Sequence, residues 1–344
     1  LPMCYNPQTM SRSVFLTAIA AISLAAGTVH AQTVLRNAHD LSELHPTERP
    51  FNAKFDFQAQ IVCACTNSSR LMLVRDNTGC AVMANHCRWP ECEFSAGDTV
   101  HVRGFVYSRP ESGIYVAMTN SVFIRAGTPP APEDVTVSGL LADKMPTKYV
   151  RLQGFVREVR HDEIDRGWSH MLLTTDGETV YVFFCHADTE DRRLQDFLDA
   201  EVRVTGICRP FSIGRRRFMG SIVVFDDMSA VEVVTPPPAD PFDVPILEEI
   251  PHAQASRISG LGRRKISGCV LACWHGDRIL LTSDSGRLLK VETASFPLPA
   301  SGTRIEASGF PETDLYRINL SRATWRPLPG PAESATAAKD VSPK

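Results

Sequence analysis

Three groups of residues have the types and spacing that chemistry requires. The first is Asp162, Glu163 and Asp165 beside Arg166. Carboxylates can hold a divalent metal, and an arginine can meet the charge that develops on a phosphate, which together make nuclease chemistry. All four fall in one loop and no matching residues stand on other strands, so the pattern predicts no catalytic centre. The second group is Cys63, Cys65, Cys80, His86, Cys87 and Cys92. Thiolates and imidazole are zinc ligands, but the spacings contain no paired C-x-x-C set, so neither a metal nor a cofactor is expected. Cys87 and Cys92 bracket a short loop and are the candidates for one disulfide.

The third group pairs arginines with aromatic rings. One loop runs from His161 to Trp168, and another carries Arg209, Phe211, Arg215, Arg216 and Arg217. Cations beside rings suit a sugar-phosphate backbone or a stacked base, which makes Trp168 and these five residues the ligand-binding candidates. The plainer reading is a pair of solvated hairpin tips with arginine stems lying along the surface. Gly262-Arg263-Arg264-Lys265 invites the same two readings. Tyr181, Phe183, Phe184, Phe105 and Tyr107 alternate along strands and are expected in barrel cores. No G-x-S-x-G elbow, H-E-x-x-H helix or P-loop is present. The residues point to binding rather than catalysis.

The elements that hold these residues repeat three times. Leu73-Val74-Arg75-Asp76, Leu173-Thr174-Thr175-Asp176 and Leu281-Thr282-Ser283-Asp284 each end an alternating apolar run and precede another, as hairpin tips do. About 25 residues later each copy has a strand ending in glycine, at Gly104, Gly206 and Gly309. A first strand lies upstream in each copy, at 55–65, 149–159 and 265–273. In the second copy the segment 189–198 sets Leu194, Phe197 and Leu198 at helical spacing. Five short strands with a helix after the third is the order of an OB-type Greek-key barrel, which by closing leaves no long edge. An SH3-like barrel or a sandwich shares the strand count.

The fold class is therefore all-β: three tandem OB-type five-stranded barrels, at 37–127, 134–235 and 243–328. Pro-rich linkers at 128–132 and 235–238 join them, each leading into a short apolar helix that plugs a barrel end or packs between neighbours. Residues 329–344 have little to bury and form a tail, or a linker to a further C-terminal part. Residues 10–31 have a basic start, an uncharged run from Val14 to Gly27 and Val29-His30-Ala31, the pattern of a secretory signal, with Leu1 to Thr9 upstream of a start Met. This implies an extracytoplasmic, periplasmic protein in which cysteines tend to pair. The net charge of −3 argues against a dedicated duplex-binding protein.

Signal, tandem barrels with Asp-bearing hairpins, Gly-ending fourth strands and Pro-rich helical linkers together resemble the periplasmic N-terminal sensory region of bacterial membrane sensor histidine kinases of the Verrucomicrobia-like type. The likeness covers Asn37 to Leu328. It implies a non-catalytic sensory region for signal transduction, binding a small ligand or a periplasmic partner protein and feeding a membrane-anchored C-terminal region that this chain lacks. His39-Asp40-Leu41 looks like a phosphoacceptor site but falls outside the cytoplasm and without ATP-binding sequence, so it is set aside. Two alternatives stay open: a free-standing periplasmic OB protein binding oligonucleotides or oligosaccharides, and a metal-dependent OB-type nuclease. Nucleic acid is the less favoured partner.

Overall fold

A computed structural model describes residues 33–44, 51–64, 71–85, 94–109, 113–142, 147–161, 167–175, 178–185, 194–213, 217–225, 227–247, 258, 261–313 and 318–329. The signal at 10–31, the tail beyond 329, Cys65, His86, Cys87, Cys92, the carboxylate loop 162–166, Asp176, Arg215 and Arg216 lie outside these residues. No helix among the described residues is long and apolar enough to cross a membrane.

The first unit opens with β1 (Val34–Leu35) and α1 (Ala38–Ser42), followed by β2 (Phe51–Ala64), β3 (Leu71–Arg75), β4 (Cys80–Asn85), β5 (Thr99–Arg109) and β6 (Gly113–Arg125). The second repeats this plan: β7 (Glu133–Asp134), α2 (Val137–Ala142), β8 (Lys148–His161), β9 (Trp168–Thr175), β10 (Glu178–Cys185), β11 (Glu201–Ile213) and β12 (Arg217–Phe225). A trailing edge strand, β13 (Val231–Thr235), follows. The third comprises β14 (Arg264–Trp274), β15 (Arg278–Ser283), β16 (Leu288–Thr293), β17 (Arg304–Thr313) and β18 (Ile318–Pro327).

Each unit closes in the same way. The first strand pairs antiparallel with both the second and the fourth, and the third pairs parallel with the fifth, giving the orders β2-β3-β4-β6-β5, β8-β9-β10-β12-β11 and β14-β15-β16-β18-β17. This is the expected all-β, three-barrel OB architecture. The alternation of apolar and polar residues sends one face of every strand inward, and each barrel has its own apolar core. The helix after the first linker acts as a plug, with Val137 and Leu140 of α2 buried in the second core, and Ala38 and Leu41 of α1, ahead of the linkers, are buried in the first core in the same way. Leu194 is likewise fully buried in the second core.

The three glycines do not end their strands. β5, β11 and β17 run through Gly104, Gly206 and Gly309 and curl there. A Cβ on Gly104 would stand 2.0 Å from the Ala117 carbonyl, and one on Gly206 would stand 2.6 Å from that of Val224. The fourth strand must cross this close to the fifth for the barrel to close, and only glycine permits the approach.

The first strand of each barrel carries one extra residue, a β-bulge, at equivalent places. The register slips between Ile61 and Cys63, between Val156 and Glu158, and between Val270 and Ala272. A bulge re-aims its side chain out of the ladder. Val62, Arg157 and Leu271 are the residues so placed.

Two of these bulges join barrels. Val62 packs with Leu73 of its own barrel and Ile207 of the second, while Leu71, Val82 and Tyr149 close around them. Arg157, only 5% exposed, reaches the third barrel, where its guanidinium meets the Pro311 carbonyl at 3.4 Å, Glu312 Oε1 at 3.2 Å and the Phe310 ring centroid at 5.0 Å. Arg263 caps that ring from the third barrel's own side at 5.0 Å and forms a two-pronged pair with Asp199 of the second. The Gly262-Arg263-Arg264-Lys265 run is thus neither a solvated tip nor a ligand loop: Arg263 is an inter-barrel clasp, and Lys265 donates to the Phe242 carbonyl.

Candidate ligand platform on the second barrel

The sheet face formed by the second and third strands has the same place in every barrel, so the three copies can be compared directly. In the first barrel it carries Leu71, Leu73, Cys80 and Val82, which lie against the second barrel. In the third it is aliphatic and ion-paired: Lys290 meets Glu292 at 2.9 Å, and Arg278 lies 3.8 Å from the same carboxylate.

The second barrel's copy is aromatic and open. Trp168, His170 and Leu172 point outward from β9, while Ser169, Met171 and Leu173 point inward. On β10, Tyr181 and Phe183 face outward while Val180, Val182 and Phe184 face the core. Register sets Tyr181 opposite Leu172 and Phe183 opposite His170. The rings form one cluster. His170 meets Tyr181 edge-on at 5.6 Å, Trp168 meets Phe183 edge-on at 6.3 Å, and His170 lies 5.3 Å from Phe183. Tyr181 remains 43% exposed.

Tyr181 and Phe183 therefore do not belong to the core, whereas Phe184 does, stacked on Phe225 at 5.0 Å. Phe105 and Tyr107 are corrected in the same way. Phe105 is exposed on the outside of the first barrel, and Tyr107 is half-buried against Tyr115 at 4.9 Å. Burial, reinforced by Tyr107, pushes the Tyr115 phenol up to about 12.

Cations flank the platform. Arg160 of β8 is the register partner of His170 and is mostly exposed. On the other side Arg209 of β11 pairs with Ile222, which in turn pairs with Tyr181, so it lies two strands from that ring. Glu158, the partner of Leu172, forms ion pairs with Arg160 and with Arg322 of the third barrel. Burial pulls the Arg322 guanidinium below its ordinary value.

Of the residues singled out in the sequence, the structure places Trp168 at the start of the platform and Arg209 on its flank. Phe211 lies in β11, and Arg217 opens β12. Sequence reasoning missed His170, Tyr181, Phe183 and Arg160. Their signal was the period-two phase: Tyr181 and Phe183 share a face with Thr179, and Phe184 breaks that phase. Cys80, Cys269 and Cys273 are free thiols. Burial pushes the Cys80 and Cys273 thiols up. Among the described residues no group of three or more metal-ligating side chains comes together.

No protein-family model matches the chain, and no curated protein matches it in sequence. Solved structures do. A murine DNA-binding protein bound to double-stranded DNA is 11% identical, with 54% of this chain and 99% of that one covered, at a TM-score of 0.32. A replication protein A heterotrimer bound to single-stranded DNA is 8% identical, covering 83% and 95%, at 0.26. A putative aspartyl-tRNA synthetase from Leishmania major Friedlin is 15% identical over 35% of this chain, at 0.25, and the chain spans only 24% of its length. At TM-scores this low the likeness says nothing about a ligand.

Proposed function

We propose that this is an exported, non-catalytic binding protein whose second barrel holds a single-stranded oligonucleotide by stacking bases on Trp168, His170, Tyr181 and Phe183. The observation that carries this reading is the contrast between three equivalent faces. One lies against a neighbour and one is neutralised by ion pairs, whereas the aromatic one is open. Every base has a π-face, so a ring platform gains stacking energy with little sequence preference. Arg160 and Arg209 supply cations at the rims, with Arg215, Arg216 and Arg217 following in the same chain segment. Rings flanked by cations suit a phosphate-linked chain better than a neutral sugar. A sensory role, as the resemblance implies, would use this platform as its input, and a reading frame that continues past Lys344 into a membrane span would support it.

The test is a titration of the purified chain with a fluorescent oligothymidine, set against the same strand in duplex form and against a neutral oligosaccharide. Preference for the single strand, with quenching of Trp168, supports the reading. Equal or tighter binding of the oligosaccharide would replace it with carbohydrate recognition.

A further inference from the structure

The two inter-barrel contacts are one contact used twice. In each, the bulge residue of the first strand meets the residue that follows the closure glycine of the next barrel's fourth strand: Val62 on Ile207, then Arg157 on Phe310. The flanking residue is equivalent as well. Tyr149 is the register partner of Ile207, and Arg263, one residue ahead of the Arg264–Gly309 pair, caps Phe310. Barrels therefore stack head to tail, and a stack has two ends.

Both ends expose apolar side chains, and at the third barrel these are flanked by Arg278 and Lys290 of the ion-paired face. At the head of the third barrel the bulge residue is Leu271, 40% exposed, and Leu288 on the adjoining face is 44% exposed. Leu280, Leu288 and Leu271 hold the register positions that Leu73, Cys80 and Val62 hold in the first barrel, where that set docks on its neighbour. At the tail of the first barrel the residue after Gly104 is Phe105, 43% exposed, with Lys54 set over its ring at 5.8 Å as Arg263 is over Phe310. The lead-in strand reaches nearer this tail than in the two that are docked, because β1 covers Lys54, the register partner of Phe105. β1 pairs with β2 at Lys54 and Phe55, β7 with β8 at Val150 and Arg151, and Ile246 bridges to Lys265.

The geometry points to a second copy of this chain as the occupant of each end, with Leu271 of one molecule seated on Phe105 of the next. The argument is continuity with the interfaces inside the chain. A repeat unit that cannot cover its apolar end alone stacks on another, and Leu271, Leu288 and Phe105 are the apolar side chains left exposed at these ends. A contact between two different patches is heterologous, so it propagates beyond a dimer unless a ring closes.

Sedimentation velocity of the purified chain over rising concentration, with complementary variants, tests this. The wild type should form species larger than a dimer as concentration rises, while Leu271→Asp and Phe105→Asp should each remain monomeric. An equimolar mixture of the two variants should give a species of twice the mass of one chain and nothing larger, because one good head and one good tail remain. A wild type that stays monomeric would overturn the proposal. So would variants that assemble like the wild type, or a mixture that does not associate, as a two-fold contact of one patch with itself would behave. Should a charge at either site impair folding, Leu271→Gln and Phe105→Gln carry the same complementation test.

Discussion

Tyr181→Ala is the sharpest test of the platform. The ring is 43% exposed and lies against other platform rings, His170 at 5.6 Å and Phe183 at 6.4 Å. Its removal opens no core cavity, so the loss of stability should stay within about 0.5–1 kcal/mol, the range of a surface aromatic pair. Its contribution to binding is larger. Stacking of one base on an aromatic side chain is worth about 1–3 kcal/mol, which corresponds to a Kd weakened by about 5- to 150-fold at 25 °C. Tyr181→Phe keeps the π-face and should bind within about twofold of the wild type. Fluorescence anisotropy with a labelled oligothymidine at fixed salt reads all three proteins, and thermal melts confirm that they are folded. Because a ring neutralises no phosphate, the slope of log K against log salt should be the same for wild type and Tyr181→Ala. Wild-type affinity in both Tyr181→Ala and Phe183→Ala, or an equal loss in Tyr181→Phe, would refute the stacking argument.

Arg160→Ala should weaken oligonucleotide binding and reduce the salt slope by about 0.7, the increment for one phosphate contact on a single strand. An unchanged slope would remove Arg160 from the ligand path. Arg157→Ala takes a buried cation out of the joint between the second and third barrels. Because Glu312 is half-exposed and can rehydrate, the loss should fall at the lower end for a broken buried pair, about 3 kcal/mol. Chemical denaturation should then show the third barrel melting apart from the second. Asp76 couples the first hairpin tip to α1. Burial raises its carboxyl, but hydrogen bonds from the Thr78 hydroxyl and from the Ala38, Thr78 and Gly79 backbone amides together outweigh this and hold it below its usual value. A carboxyl depressed by folding stabilises the native state above its unfolded pKa, and that contribution disappears as pH falls through the folded value. Asp76→Asn should therefore cost about 1–2 kcal/mol at neutral pH, with the difference from wild type closing below about pH 4; a pH-independent difference would mean that the charge is not what matters.

Much of this protein is legible residue by residue because barrel formation follows short-range rules. Alternation with period two marks a strand whatever lies elsewhere, so the hairpins tipped by Asp76 and Asp284 and the strands through Gly104, Gly206 and Gly309 can be read from their own neighbourhoods. The plugs could be read too, since Val137 and Leu140 are apolar residues one helical turn apart directly after a proline linker. The same periodicity could have separated Tyr181 and Phe183 from Phe184, because adjacent residues on a strand cannot share a face.

What no local rule supplies is which outward face stays open. Leu73 and Leu172 hold equivalent positions in equivalent strands, yet the first is shut against a neighbouring barrel and the second borders the platform. The difference is made by Ile207, Arg157 and Phe310, residues whose partners lie far away in the chain; Arg157 and the Pro311 carbonyl that it reaches are 154 positions apart. An arginine at a β-bulge looks in sequence like any other surface cation, and only the third barrel's approach turns it into a buried clasp. Local periodicity determined the three barrels, because each strand's apolar face is satisfied within its own barrel. The tertiary structure decided which of three like surfaces stays open, because burial there depends on how whole barrels are stacked.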